Sequence, residues 1–377
     1  MRLIGLFRVR RNLCALTQIA VVLTAVALLV YAVQGAEQPV VDAQAQDYLS
    51  LGSHAVDVIE MPVLHDESRG HDLPVRVYAP VDGGPYPVIL FSHGAGDSNE
   101  TAPHLLRHWA GHGYVCVVPT HSFGDGSTAQ RSISKLVKDM RRPIEMGTAA
   151  WSDRIRDITF LLDSLKRFGE YAPALKGKID ASCVGMAGHS YGAFTTQLIA
   201  GAELTDPVTS VPKTYGDPRP RAFILLSGQG RDPLGLTENS WKKMTRPMLV
   251  AAGTRDPSPQ LDPGEWRTEP YQFAPEGDKY CLFIKGANHL SYIGPLFGGA
   301  MHDPLNRGVI GKSLRSVPKT LAHVDPGFDQ TAIFEFTRIA TTAFWDAYLK
   351  DDPKAKAFLR SQAMTDYSQH RLDWQWK

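Results

Sequence analysis

Cys183-Val-Gly-Met-Ala-Gly-His-Ser-Tyr-Gly-Ala-Phe-Thr-Thr-Gln-Leu-Ile-Ala200 is the stretch on which the fold turns. An apolar run ends in Gly188-His189-Ser190-Tyr191-Gly192 and passes at once into a segment of helical character. That order predicts a strand, a tight turn with Ser190 at its apex, and a helix. Small residues flanking the serine let strand and helix approach, so that its hydroxyl projects clear of the backbone. The helix N-terminus adds partial positive charge beneath a developing anion, and the amide of Tyr191 points where an oxyanion would form. The G-x-S-x-G pattern alone is weak, since glycine occurs 33 times in 377 residues. Its strand-turn-helix setting gives it weight.

Outward from this stretch, short apolar runs alternate with amphipathic ones. Strands are predicted at Val75–Tyr78, Val88–Phe91, Tyr114–Val118, Cys183–Ala187, Ala222–Leu226, Met248–Ala251 and Tyr280–Ile284. Most are continuous in Val, Ile and Leu, as expected of strands covered on both faces. Helical periodicity marks Ile155–Arg167 and Ile333–Leu349. The alternation predicts an α/β fold with a mainly parallel central sheet and helices on both faces. No internal repeat or low-complexity linker divides the chain. Two turn-rich segments, Pro257–Gly277 and Gly294–Asp329, read as insertions near a site or as plain surface loops.

Val88-Ile-Leu-Phe91 runs into Ser92-His93-Gly94-Ala95-Gly96, a strand ending in a small-residue turn. Acyl transfer needs a second amide donor for the oxyanion, and flexible glycines let the backbone come close. The N–H of Ala95 is the candidate. A phosphate-binding reading fails, because neither Gly-Lys-Ser/Thr nor G-x-G-x-x-G follows. A serine nucleophile also needs a base, and the base an orienting acid, each on a loop after a later strand. Met248–Ala252 leads to Gly253-Thr-Arg-Asp256, and Tyr280–Ile284 leads to Lys285-Gly-Ala-Asn-His289. Chain order and loop position suit Asp256 as acid and His289 as base, with Asp232 the rival acid and His302 the rival base. The bland readings are a turn-capping aspartate and a surface histidine.

These stretches resemble the α/β-hydrolases, specifically the bacterial branch similar to plasma-type platelet-activating-factor acetylhydrolase and often labelled dienelactone-hydrolase-like. The resemblance rests on Phe91-Ser-His-Gly-Ala-Gly96, Gly111-His-Gly-Tyr-Val115, Gly188-His-Ser-Tyr-Gly-Ala193, Leu226-Ser-Gly-Gln-Gly230, Gly253-Thr-Arg-Asp256 and Gly286-Ala-Asn-His-Leu-Ser291. It implies a cofactor-independent serine carboxylic-ester hydrolase with the triad Ser190, Asp256 and His289. Dienelactone hydrolases proper use a cysteine nucleophile, so Ser190 argues against a lactone substrate. An amidase or acyltransferase with the same triad, and a non-catalytic binding protein on the same scaffold, are the alternatives.

The first 36 residues read as a segment apart from the fold. Arg2, Arg8, Arg10 and Arg11 precede an uncharged run from Asn12 to Ala36 whose centre, Ile19–Val33, is almost wholly apolar. This is the composition of a secretory signal peptide or an uncleaved N-terminal membrane anchor. Either places the remainder, residues 37–377 read as one catalytic domain, outside the cytoplasm: periplasmic, secreted or anchored. A formal net charge of +1 leaves no footprint for nucleic acid, and the expected partner is a small-molecule or lipid-like ester.

Cys116, Cys183 and Cys281 sit in apolar runs and match no zinc spacing, so they read as buried free thiols, with a single disulfide as the alternative. His104, His108 and His112 recur every fourth residue, but no carboxylate at H-E-x-x-H spacing joins them, and their segment reads as a surface helix rather than a metal site. Arg154 and Asp157 read as an ion pair on a solvated helix face, with substrate contact as the rival. Trp241, Trp266, Tyr271 and Phe297 are pocket candidates that simple packing explains equally well.

Overall fold

Nine of the apolar and alternating runs assemble into one sheet in the computed structural model, which describes residues 43–121, 149–205, 211–231, 234–258, 260–294 and 329–377. The basic and apolar leader, Asp232, Phe297, His302 and most of the second turn-rich segment lie outside the described residues. The strands are β1 (Val56–Glu60), β2 (Val75–Pro80), β3 (Tyr86–Ser92), β4 (Val115–Pro119), β5 (Ile179–His189), β6 (Pro220–Leu226), β7 (Met248–Arg255), β8 (Lys279–Asn288) and β9 (Leu372–Trp376). Their order across the sheet is β1-β2-β4-β3-β5-β6-β7-β8-β9. The run from β4 to β8 is parallel throughout, while β1, β2 and β9 pair antiparallel at the two edges.

Successive side chains on a strand point to opposite faces, so an unbroken apolar run must be covered twice. In β3, Ile89 and Phe91 enter one core, and Val88 and Leu90 enter the other. The first core is closed by helices α1 (Pro103–Gly111) and α4 (Gln330–Leu349), where Trp109 and Trp345 meet edge to face at 5.7 Å. The second is closed by α2 (Ala149–Ser164) and α3 (Tyr191–Ala200). Proline at the first turn of α1 costs no backbone hydrogen bond. The Asp329 carboxylate caps α4 by accepting from the amides of Thr331 and Ala332.

Six of the seven predicted strands and the predicted helix Ile333–Leu349 lie within observed elements; the strand predicted from Tyr114 starts at Val115, and the helix predicted to Arg167 ends at Ser164 and passes into a 3-10 turn at Leu165–Arg167. Sequence reading missed the edge strands β1 and β9, Val-Asp-Val-Ile-Glu and Leu-Asp-Trp-Gln-Trp, which are short and only partly buried. The reading of α1 as a surface helix needs correction. His108 is buried, with Nε2 3.1 Å from the Thr342 hydroxyl of α4, because α1 packs beside that long helix in the same core. Among the described residues no group of His, Cys, Asp and Glu is arranged to hold a metal ion. Cys116, Cys183 and Cys281 are buried free thiols, and burial raises the pKa of each.

Candidate active site

Parallel strands deliver their following loops to a common edge, which is where sites form in such sheets. Ser190 follows β5, Ser227 follows β6, Asp256 follows β7 and His289 follows β8. Ser190 caps α3 with φ 54° and ψ −119°, a conformation that glycine adopts freely and other residues rarely do. Its amide donates to the Leu226 carbonyl at 3.0 Å, tying the elbow to β6. The flanking glycines are sterically required. A Cβ at Gly192 would lie 1.8 Å from the Ser92 carbonyl oxygen, and one at Gly188 would lie 2.2 Å from the carbonyl oxygen of Gly192.

The three predicted side chains meet. The Ser190 hydroxyl lies 2.9 Å from His289 Nε2, and His289 Nδ1 lies 2.9 Å from Asp256 Oδ1. A carboxylate only accepts, so Nδ1 carries the proton and Nε2 is left to accept from the hydroxyl. Asp256 is fully buried and Ser190 is 8% exposed. Burial by itself would raise the Asp256 pKa, but the Arg267 guanidinium and the His289 imidazole outweigh it and hold this carboxyl below the usual carboxylate range.

The turn carrying Ala95 lies over this elbow. A Cβ added to Gly94 would stand 3.6 Å from Ser190 Cβ and 3.3 Å from His189 Nδ1. Ala95 is half-buried and packs against the second core. Tyr191 begins α3, so its amide is among those with no partner inside the helix.

Sequence reading missed Ser227, His189 and Arg267, and read Arg154 as a solvated ion pair with substrate contact as the rival. Ser227, in a positive-φ conformation, brings Oγ within 2.6 Å of His289 Nδ1, so that nitrogen faces both Ser227 and Asp256. His189 donates from Nε2 to the His289 carbonyl at 2.6 Å, fixing the loop that bears the imidazole. Arg267 is buried and donates to the carbonyls of Asp256, Pro257, Ser227 and Gly228 at 2.8 to 3.0 Å, with Nε also 2.7 Å from Asp256 Oδ1. Arg154 is buried against the carbonyls of His93 and Gly94, in the turn that carries Ala95. His189 and Ser227 stood inside recognised motifs and could have been flagged, whereas nothing local in the sequence marks Arg267 or shows that Arg154 is buried.

The solvated ion pair read for Arg154 and Asp157 is therefore a correction as well. Both residues are buried, and Asp157 binds Arg69 at 2.8 Å and His121 Nδ1 at 2.9 Å. Helical spacing shows that two residues share a face, but it does not show whether that face meets water. Of the pocket candidates, Trp241 is wholly buried and donates to Gln197, which makes it a packing residue. Tyr271 is mostly buried in the second core, and Trp266 donates to the Arg231 carbonyl.

A sheet of this order, with a serine at a strained strand-helix elbow and its partners after later strands, decides the architecture. The fold is that of the α/β-hydrolases. A family model described as chlorophyllase matches residues 44–139 of the chain. Chlorophyllase-1 of Arabidopsis thaliana is 36% identical over 69 residues, covering 18% of this chain and 21% of the relative. The chain thus spans about a fifth of the length of the curated relative it matches. The matched span of the α/β-hydrolase fold holds β1 to β4 and the turn with Ala95, and it ends before Ser190.

Proposed function

We propose that this protein is a serine carboxylic-ester hydrolase in which Ser190 is the nucleophile, His289 the base and Asp256 the orienting acid. The reading is carried by the pair of 2.9 Å contacts that link Ser190 Oγ to His289 and His289 to Asp256. The match to the chlorophyllase model and the resemblance to the platelet-activating-factor acetylhydrolase branch support an ester as the substrate.

In this mechanism the Ser190 hydroxyl attacks the ester carbonyl as its proton passes to His289 Nε2. Asp256 holds the imidazole in the required tautomer and stabilises the imidazolium. The amides of Ala95 and Tyr191 donate hydrogen bonds to the carbonyl oxygen as negative charge develops on it, and losing one such donor typically costs about 3 kcal/mol of barrier. As the bond to the alcohol breaks, His289 returns the proton to the leaving oxygen. Water, deprotonated by the same imidazole, then attacks the acyl-enzyme and releases the acid and free Ser190. Every group comes from the chain itself.

A fluorophosphonate probe tests the assignment. It should label the folded protein and fail on Ser190→Ala; an unlabelled wild type would favour a binding protein on this scaffold. Comparing a p-nitrophenyl ester with the matching anilide separates esterase from amidase, and added acceptor alcohols reveal acyl transfer. A panel running from acetyl to long acyl esters, with chlorophyll included because of the matched family's name, reads the substrate. We also propose export, on the basic and apolar composition of residues 1–36. Cell fractionation that finds the protein only in the cytoplasm would contradict it.

A further inference from the structure

Arg154 reaches into the backbone of the turn that carries the proposed oxyanion donor. Nη1 donates to the His93 carbonyl at 2.6 Å and Nη2 to the Gly94 carbonyl at 3.3 Å. The same guanidinium carbon lies 4.8 Å from the ring centre of Tyr191. One buried cation therefore touches the Gly94 carbonyl, which shares a peptide unit with the proposed Ala95 amide, and the side chain of Tyr191, which bears the other.

Peptide geometry gives that contact a direction. In a trans peptide the C=O of Gly94 and the N–H of Ala95 lie in one plane and point in opposite directions. A donor that fixes the Gly94 carbonyl on the α2 side therefore turns the Ala95 N–H the other way. The Gly94 oxygen accepts a second bond, from His93 Nδ1 at 2.6 Å, and this assigns the ring's proton to Nδ1. His93 Nε2 is then free to accept from the His121 amide at 3.0 Å. His121 in turn donates from Nδ1 to Asp157 at 2.9 Å and accepts from the Ser92 hydroxyl at 3.0 Å. Each of these donors meets an acceptor with neutral imidazoles, the form burial favours in both rings.

We propose that Arg154 is a positioning residue of the oxyanion hole, aiming the Ala95 amide through the Gly94 carbonyl and fixing the Tyr191 side of the site by stacking on its ring. This rests on the ester-hydrolase reading. Lysine supplies charge but no planar fork able to span two carbonyls, and methionine supplies neither charge nor donor. The chain around Arg154 is built to hold it, because Asp157, on the same helix, anchors the His121 ring behind the turn.

Arg154→Lys, Arg154→Gln and Arg154→Met test this in the full-length enzyme. Fluorophosphonate titration of the wild type first establishes that Ser190 reacts; if it does not, the ester-hydrolase reading fails and not this one. With an active wild type, kcat should fall about 10-fold in Arg154→Lys and Arg154→Gln and about 100-fold in Arg154→Met, with KM within about threefold, as for displaced transition-state donors. Affinity for a trifluoromethyl ketone, whose adduct carries an oxyanion, should fall in parallel with kcat. Unchanged kcat in the folded variants overturns the proposal. So does a loss that tracks thermal stability rather than ketone affinity, and so does failure of all three to fold, which would make Arg154 a determinant of the fold alone.

Discussion

Arg267 Nε lies 2.7 Å from Asp256 Oδ1, the same oxygen that His289 Nδ1 meets at 2.9 Å. The Asp256 carboxylate is thus held between two cationic or proton-bearing partners in a place closed to water. Removing Arg267 leaves four loop carbonyls short of a donor and Asp256 short of the charge that lowers its pKa. A carboxyl held below its unfolded value stabilises the fold above that value and loses the contribution as pH falls through the native pKa. Arg267→Gln should therefore lower kcat/KM about 10- to 100-fold and move the acid limb of its pH profile upward. An unmoved acid limb would disprove the electrostatic part.

Ser227 competes with Asp256 for the same imidazole nitrogen, and its hydroxyl also helps to lower the Asp256 pKa. With that hydroxyl gone, Asp256 becomes the sole acceptor for His289 Nδ1 and a stronger one. Ser227→Ala should keep kcat within about fivefold while the acid limb of kcat/KM moves to higher pH. A loss comparable to that of Asp256→Asn, expected near 10⁴-fold, would instead make Ser227 indispensable.

Close approach of strand and helix at the elbow predicts a steric outcome. Gly192→Ala forces a methyl group against the Ser92 backbone, where neither partner is a flexible side-chain end. Overpacking of this kind costs about 1–3 kcal/mol, so urea denaturation should show a lower midpoint with unchanged slope. A midpoint equal to wild type would show that the turn with Ala95 yields easily.

Four buried histidines set the acid limit of the fold. Burial lowers the pKa of His108 and His189 to about 3 and lowers His93 and His121 well below the ordinary value. The unfolded chain takes up these protons near pH 6.5 and the native one does not. Stability is therefore complete above that pH and falls below it by about 1.4 kcal/mol per pH unit for each ring. Urea midpoints measured between pH 7 and pH 4 should fall steeply, with a slope approaching uptake of one proton per named histidine. A flat profile down to pH 5 would refute this.

The parts legible in the sequence were those whose signal is local. Continuous apolar runs gave the parallel strands, and the small residues around Ser190 gave the elbow because only glycine tolerates those contacts. Asp256 and His289 were found by their position after predicted strands. Arg267 and the contacts of Arg154 were not legible, because each acts on backbone carbonyls outside its own segment, and a carbonyl belongs to every residue alike. Asp157 was misread for a related reason: its partners Arg69 and His121 lie on other segments, and only tertiary structure shows that they exclude water from its helix face. The edge strands β1 and β9 are short and half-covered, so their alternation carries little signal.

The left-handed backbone at residue 190 has a cost independent of chemistry. A side chain held there stores about 1–3 kcal/mol that glycine would release. Selection for heat tolerance alone would therefore push this position toward Ser190→Gly, yielding a sturdier molecule without the proposed nucleophile. Variants recovered from such a screen would measure how much durability the native chain forgoes in order to keep its hydroxyl.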